Sequence, residues 1–256
     1  MSWTALTGLL LLTGVAAYAQ TLTGFAFGLI TMGGVGLTGL LSLPEAAMLV
    51  SLLTLVNAAQ MLTKGWRDVD WRSFGLVMLA GLPCLCLGFF LLDWLAESRA
   101  DWLRLALGAT IIVSSVQLAR KPPPRQRPSG PLSFLVFGGI AGVMGGMFST
   151  SGPPVVYHLY RQPLPHVVVR ETLVTIFAVN AAFRTGLVAA SGPFPPAATL
   201  SGLLAVPMVM AATHLARRYP PPLTQRAMRQ IVFLLLFLSG VSLGGPALVR
   251  LVAQAL

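Results

Sequence analysis

The feature that most constrains this chain is where its charges are missing. Residues 1–44 carry none, and neither do 46–63, 73–92, 105–119, 128–160, 185–216 and 230–249. A helix needs roughly 20 predominantly apolar residues to span the hydrocarbon core of a bilayer. Several of these runs reach that length, and the longest have room for more than one crossing. The chain therefore reads as an all-α, polytopic membrane protein seated in a lipid bilayer. Membrane β-strands alternate apolar and polar residues, and Ile231–Leu238 does not. Composition agrees: 9% of the 256 residues are charged and 55% are hydrophobic, against about 25% charged in ordinary soluble domains. The net charge of +10 does not point to nucleic acid. That reading needs Lys and Arg clustered on a solvated face, and the charge-free runs leave none.

Ala17-Tyr18-Ala19 before Gln20 resembles a signal-peptidase site. A secretory signal also starts with positive charge, which Met1-Ser2-Trp3-Thr4 lacks, so this run is read as a retained membrane helix. Cys84 and Cys86 are two apart. On a helix their side chains diverge by about 200°, so they neither bridge nor share a metal.

The chain reads as a duplication. Val56-Asn57-Ala58-Ala59 recurs as Val179-Asn180-Ala181-Ala182, 123 residues later. Leu43-Pro44 matches Leu164-Pro165, Pro83 matches Pro207, and Ser114, Val116 and Leu118 match Ser239, Val241 and Leu243. Gly24 falls opposite Gly145 or Gly146. The order and nearly constant offset divide the chain into a first repeat, 1–120, a basic proline-rich cytoplasmic linker, 121–130, and a second repeat, 131–256. Lys and Arg in short loops favour the cytoplasmic side. That places the 64–72 loop, the linker and the 217–229 cluster inside, and the basic-poor 93–101 and 191–198 segments outside. Equivalent loops then fall on opposite sides, which predicts two inverted repeats, as in many secondary transporters; a parallel 4+4 duplication is the alternative. Each repeat is expected to hold a broken-helix hairpin, 3–43 or 132–163, and three crossings. Those are about 45–63, 73–92 and 102–119 in the first repeat and 166–187, 197–215 and 229–249 in the second. The total is eight to ten helices.

The breaks carry the candidate chemistry. The first runs from Gln20 through Thr23, Gly24 and Phe25 to Gly28; the second, from Gly145 to Pro154, holds Ser149, Thr150, Ser151 and Gly152. Ser or Thr followed by Pro is a helix start. A helix starting inside the membrane offers free N–H groups and a positive dipole end to an anion. The alternative is that the small residues only let helices pack closely. Asn57 and Gln60 share one helix face, and Asn180 and Arg184 share the equivalent one. They line a cavity or form interhelical hydrogen bonds. Arg184 stands in an otherwise uncharged stretch, and no Asp or Glu follows Glu171. Its partner is then an anionic substrate or backbone carbonyls, unless it snorkels to the outer interface. His158, His166 and His214 lack metal-ligand spacing, and no nucleophilic triad or phosphate-binding loop is evident. The chain is read as neither an enzyme nor an ATP-driven pump, and no cofactor is expected.

Gly24-Phe25-Ala26-Phe27-Gly28, Leu43-Pro44, Lys64-Gly65 leading to Val69-Asp70-Trp71, Gly81-Leu82-Pro83, and Gly138-Gly139-Ile140-Ala141-Gly142 through Gly152-Pro153-Pro154 together resemble the TauE/SafE sulfite-exporter family. The stretch after Phe27 and the Arg170-Glu171-Thr172 segment depart from the usual family pattern. The resemblance implies a transporter that moves small sulfur-containing anions, sulfite or organosulfonates, across the bacterial inner membrane. Substrate would sit between the two breaks during alternating access. A homodimer is compatible with this reading. The competing readings are a non-transporting membrane scaffold or assembly subunit, and a permease for another small anion such as a carboxylate.

Overall fold

The computed structural model describes residues 3–119, 125–219 and 225–255. Residues 120–124, which include Arg120 and Lys121 at the start of the expected linker, lie outside them. The described residues form ten α-helices: α1 (Trp3–Thr23), α2 (Phe27–Thr38), α3 (Leu43–Gly65), α4 (Trp71–Ser98), α5 (Ala100–Ala119), α6 (Pro131–Phe148), α7 (Gly152–Tyr160), α8 (His166–Ser191), α9 (Pro196–Arg218) and α10 (Gln225–Ala255). A 3₁₀ turn, Trp66–Asp68, joins α3 to α4. No strand is present among the described residues. Seven helices are long and apolar enough to cross a membrane: α1, α3, α4, α6, α8, α9 and the Leu236–Ala253 part of α10. The protein is thus a multi-pass membrane protein. α5 carries Asp101 and Arg104 in its first turns and falls outside that set. Its 20 residues still reach about 30 Å.

Local chemistry sets the helix ends. Ser42 and Glu45 form a reciprocal capping box at the start of α3, with the Ser42 N–H donating to Glu45 Oε2 at 2.9 Å. Asp70 caps α4 by accepting the Arg72 N–H at 3.2 Å. Such caps satisfy backbone groups that a helix terminus leaves free. The short α2 and α7 follow the two predicted breaks. The chain between α1 and α3, and between α6 and α8, is therefore a helix, a sharp turn and a half-length helix.

The dominant helix pairs each join the first half of the chain to the second. α4 lies along α6, α1 along α9, α5 along α10, and α3 faces α8 at the centre. With no hydrophobic drive between helices in lipid, close backbone approach supplies much of the attraction. Gly138, Gly142 and Gly146 recur at one-turn spacing on α6 and meet the backbone of α4 at Val77, Gly81 and Leu85. On α5, a Cβ added to Gly108 would stand 2.7 Å from Gly244 Cα of α10. α9 crosses α1 differently, with the Met208 side chain over Gly14.

The α4–α6 contact predicts a specific sensitivity. Gly142→Ala should destabilise the detergent-solubilised protein by about 1–3 kcal/mol, the usual cost of overpacking a tight contact. Gly75→Ala, where nothing lies within 4 Å, should leave thermal unfolding unchanged or slightly raised. Equal behaviour of the two variants would contradict the seam.

Candidate functional site

Both breaks use the same turn. α1 ends at Gly24, whose φ is +87° and whose N–H reaches Gln20 O at 2.6 Å. α6 ends at Ser149, whose φ is +53° and whose N–H reaches Gly145 O at 2.9 Å. Left-handed helix ends suit glycine. A serine held there stores roughly 1–3 kcal/mol of strain. By position at the helix end, Gly24 corresponds to Ser149. The repeat alignment set Gly24 against Gly145 or Gly146, three to four residues before Ser149.

The two breaks touch. A Cβ on Gly28 would stand 2.9 Å from Thr150 Cβ and 3.3 Å from Ser149 O, so only glycine fits without a shift. Beside this contact lies a cavity of about 10 Å³, room for roughly one water. It is lined by Gln20, Phe25, Gly28, Thr54, Gly145, Ser149, Thr150, Ser151, Gly152, Phe177, Asn180 and Ala181.

The two sides differ in what satisfies them. On the first-break side the polar groups answer one another. Gln20 Oε1 accepts the Phe27 N–H at 3.1 Å, which caps α2. Gln20 Nε2 donates to Asn57 Oδ1 at 3.0 Å. Asn57 Nδ2 in turn donates to Thr213 Oγ1 at 2.7 Å and to Thr21 Oγ1 at 3.3 Å. On the second-break side, Asn180 Nδ2 donates to Ser151 Oγ at 2.7 Å. Asn180 Oδ1 is buried with no partner among the described residues. The start of α7 also differs from a bare helix end. Pro153 and Pro154 carry no N–H, so α7 offers the Gly152 N–H and the helix dipole rather than a full set of donors.

Arg184 is 2% exposed and does not snorkel. Its Nε donates to Gly146 O at 2.9 Å, its Nη1 approaches Ser51 Oγ at 3.4 Å, and its guanidinium lies 5.6 Å from the centre of the Phe89 ring. Ser51 Oγ and Ser149 Oγ are 2.6 Å apart. The cation therefore reaches the cavity through two hydroxyls. Ser51 also donates to Ala47 O at 3.0 Å, so the Ser149 hydroxyl is free to donate to a negative ligand only when Ser51 turns its one proton from Ala47 O to Ser149.

Gln20, Phe25, Gly28, Ser149, Thr150, Ser151, Gly152 and Asn180 line the cavity as the sequence led us to expect of a site. Thr23, Gly24, Asn57, Gln60 and Arg184 do not. The Thr23 hydroxyl donates to Ala19 O at 2.8 Å, and its carbonyl accepts from Tyr160 at 3.1 Å. Gly24 packs on the Arg170 side chain. Gln60 accepts at its carbonyl from Arg217. Thr54, Phe177, Ala181 and Ser51 were not anticipated. Thr54 lies about one turn before Asn57 and Phe177 about one turn before Asn180, so the asparagine faces already pointed to these two, whereas Ser51, six residues before Asn57, stands about 120° round the helix. Among the described residues no group of three or more His, Cys, Asp or Glu could hold a metal.

Comparison with known proteins places this geometry in context. The sequence model of the family described as "Sulfite exporter TauE/SafE" matches residues 9–243. A probable sulfite/organosulfonate exporter TauE of Cupriavidus necator is 38% identical over 243 residues, covering 95% of each chain. A probable inner membrane transporter protein TsaS of Comamonas testosteroni is 29% identical over 184 residues, covering 70% of this chain and 74% of that protein. No solved structure matches.

The asymmetry between the asparagines sets a stability test. Asn57→Leu strands buried groups of Gln20 and Thr213, each costing about 1–3 kcal/mol, and should lower the unfolding temperature in detergent. Asn180→Leu removes one bond and one orphaned oxygen, and should change stability much less. Equal losses would mean that Asn180 is as structural as Asn57.

Proposed function

We propose that this chain, which belongs to the TauE/SafE sulfite-exporter family, carries small sulfur-containing anions such as sulfite or organosulfonates across the bacterial inner membrane, binding them between its two helix breaks. The observation that carries the reading is the cavity between Gly28 and Ser149–Gly152. It is lined by hydroxyls, amides and backbone, has no carboxylate, and is linked to a buried arginine. A sulfonate spreads its charge over three acceptor oxygens. Ser149, Ser151, Thr150 and the Gly152 N–H are donors that such oxygens can share, and the α2 and α7 dipoles add positive potential. The names of the two relatives, an exporter of sulfite or organosulfonates and an inner membrane transporter, support the same substrate class and location.

The cavity is too small for the anion as it stands, so binding requires the breaks to part. We take the architecture to be two inverted repeats, 1–120 and 131–256, around the 121–130 linker. The packing supports the duplication, because exchanging the halves turns the α4–α6 contact into the α9–α1 contact and maps α3–α8 and α5–α10 onto themselves; the inversion rests on the basic loops. The same packing bears on motion. α4 is locked to α6 and α1 lies on α9, so the bodies that rock in alternating access are cross-half groups of helices rather than the sequential halves. Each group carries one break, and substrate held between the breaks meets one face of the membrane at a time.

Counterflow of labelled sulfite and of a labelled alkanesulfonate in proteoliposomes tests the reading. Wild-type protein should exchange at least one of them, and Ser151→Ala, Asn180→Ala and Arg184→Gln should each cut the rate about tenfold or more, as loss of a hydrogen bond to a charged group implies. Absence of exchange for both anions would favour the scaffold reading. Exchange of a carboxylate in preference to both would reassign the substrate, and undiminished rates in all three variants would remove this cavity as the site.

A further inference from the structure

Glu171 is a buried acid that the anion site does not use. It lies in α8, 3% exposed, and only one of its carboxylate oxygens is answered. Oε1 accepts two hydrogen bonds from Arg170, from Nε at 3.0 Å and from Nη2 at 2.6 Å. Oε2 is buried with no partner among the described residues. It rests against Gly65, where an added Cβ would overlap it. Gly65 closes α3, and the last carbonyls of a helix make its negative end. The carbonyls of that helix end accept and do not donate, so they offer Oε2 no hydrogen-bond donor.

The charged groups around it are few. On its own helix are His166 and Arg170. The 3₁₀ turn packed against α8 brings Arg67 and Asp68. The start of α4 brings Arg72 and Asp70, with the Asp70 N–H donated to Thr172 at 2.9 Å and its carboxylate taken by Ser73 and the Arg72 N–H. Lys64 precedes Gly65, and the α7–α8 turn holds Arg161. Among the described side chains of these residues, only Arg170 is in hydrogen-bond contact with the Glu171 carboxylate. Its stem lies over Gly24, 3.1 Å from where a Cβ would be. Gly24 is the turn that ends α1 on the Gln20 carbonyl, and the Gln20 side chain lines the anion cavity. A continuous contact path therefore runs from Glu171 through Arg170 and Gly24 to the cavity.

We propose that Glu171 is the proton-binding group that couples anion movement to the proton gradient. The proposal rests on the transport reading above. A proton from the aqueous phase adds to Oε2, neutralising the carboxylate and weakening its hold on Arg170. The Arg170 stem packed on Gly24 then loses its anchor at the far end and can shift on the turn, so the break next to the anion moves when the proton binds and resets when it leaves. No other bond is made or broken, and the proton returns to water on the opposite side of the cycle.

Labelled sulfite uptake into proteoliposomes, with protein-free vesicles subtracted, separates coupling from transport. One pH unit across the membrane is worth tenfold in accumulation for each coupled proton, about 1.4 kcal/mol. Wild-type protein should approach that response. Glu171→Gln should exchange sulfite at equal pH but lose the gradient-driven accumulation, and Glu171→Asp should keep both. A wild-type protein that exchanges but ignores the gradient overturns the proposal while leaving the transport reading intact. So does a Glu171→Gln variant that still accumulates. If Glu171→Gln loses exchange as well, Glu171→Asp decides: restored coupling supports the proposal, and an inactive Glu171→Asp makes the residue structural and overturns it. Wild-type protein that exchanges no sulfite and no alkanesulfonate fails the transport reading itself.

Discussion

A helix broken inside a bilayer frees backbone N–H and C=O groups where no lipid can answer them, and each unanswered group costs several kcal/mol. This chain breaks two helices, after Thr23 and after Phe148. Much of its interior polarity follows from that. The left-handed turns at Gly24 and Ser149 return the first N–H after each helix to the helix itself. Gln20 takes the opening N–H of α2. Arg184 takes the carbonyl of Gly146, one of those that the end of α6 leaves free. Residues that look like candidates for a ligand are thus, in part, the groups that make a broken helix tolerable.

Separating those two duties explains why the halves differ. Around Asn57 the network closes: Gln20, Thr21 and Thr213 use its donors and its acceptor. Around Asn180 it stays open, with a buried oxygen unpaired and a serine held at positive φ beside it. The two breaks share one build, a left-handed turn between a long helix and a short one. Filling one with internal hydrogen bonds gives a rigid wall, and leaving the other incomplete gives a surface that improves when something polar arrives. The two prolines that open α7 fit this division. They fix the direction of the helix while removing donors, so in the transport reading proposed above recognition would fall to the hydroxyls of Ser149, Thr150 and Ser151.

Much of this was legible in the sequence, because membrane insertion is written in single residues. Charge-free runs located the helices, and Gly24 and Ser149-Thr150-Ser151-Gly152-Pro153 located both breaks, since few residue types tolerate those backbone positions. Eight residues named from the breaks and the matched asparagines line one cavity. The rest depended on distance along the chain. Asn57 meets Thr213 across 156 residues, so nothing local says that it is saturated. Arg184 alone in an apolar run was legible as unusual, but its partners, Gly146 and Ser51, are fixed only by how α8 packs on α3 and α6. The pairing of α4 with α6 had a signal in the spacing of Gly138, Gly142 and Gly146, though spacing names one side of a seam and not its partner.

That seam also limits how the molecule can move. Glycine contacts let two backbones approach until no side chain separates them, and such a contact cannot slide without meeting the next side chain. α4 and α6 are held in this way, and so are α5 and α10. The α1–α9 crossing is cushioned by the flexible Met208 side chain over Gly14, a residue type that repacks readily. The contact between the breaks, Gly28 against Thr150 and Ser149, is tight but short. Rearrangement between the groups should therefore concentrate at the breaks, with the α1–α9 crossing free to adjust its packing within its own group. α1 ends in the first break and is tied to α3 and α9 through Gln20, Asn57 and Thr213, so Gln20 and Gly24 move with those helices as one wall, and the cavity opens where that wall parts from Ser149–Gly152.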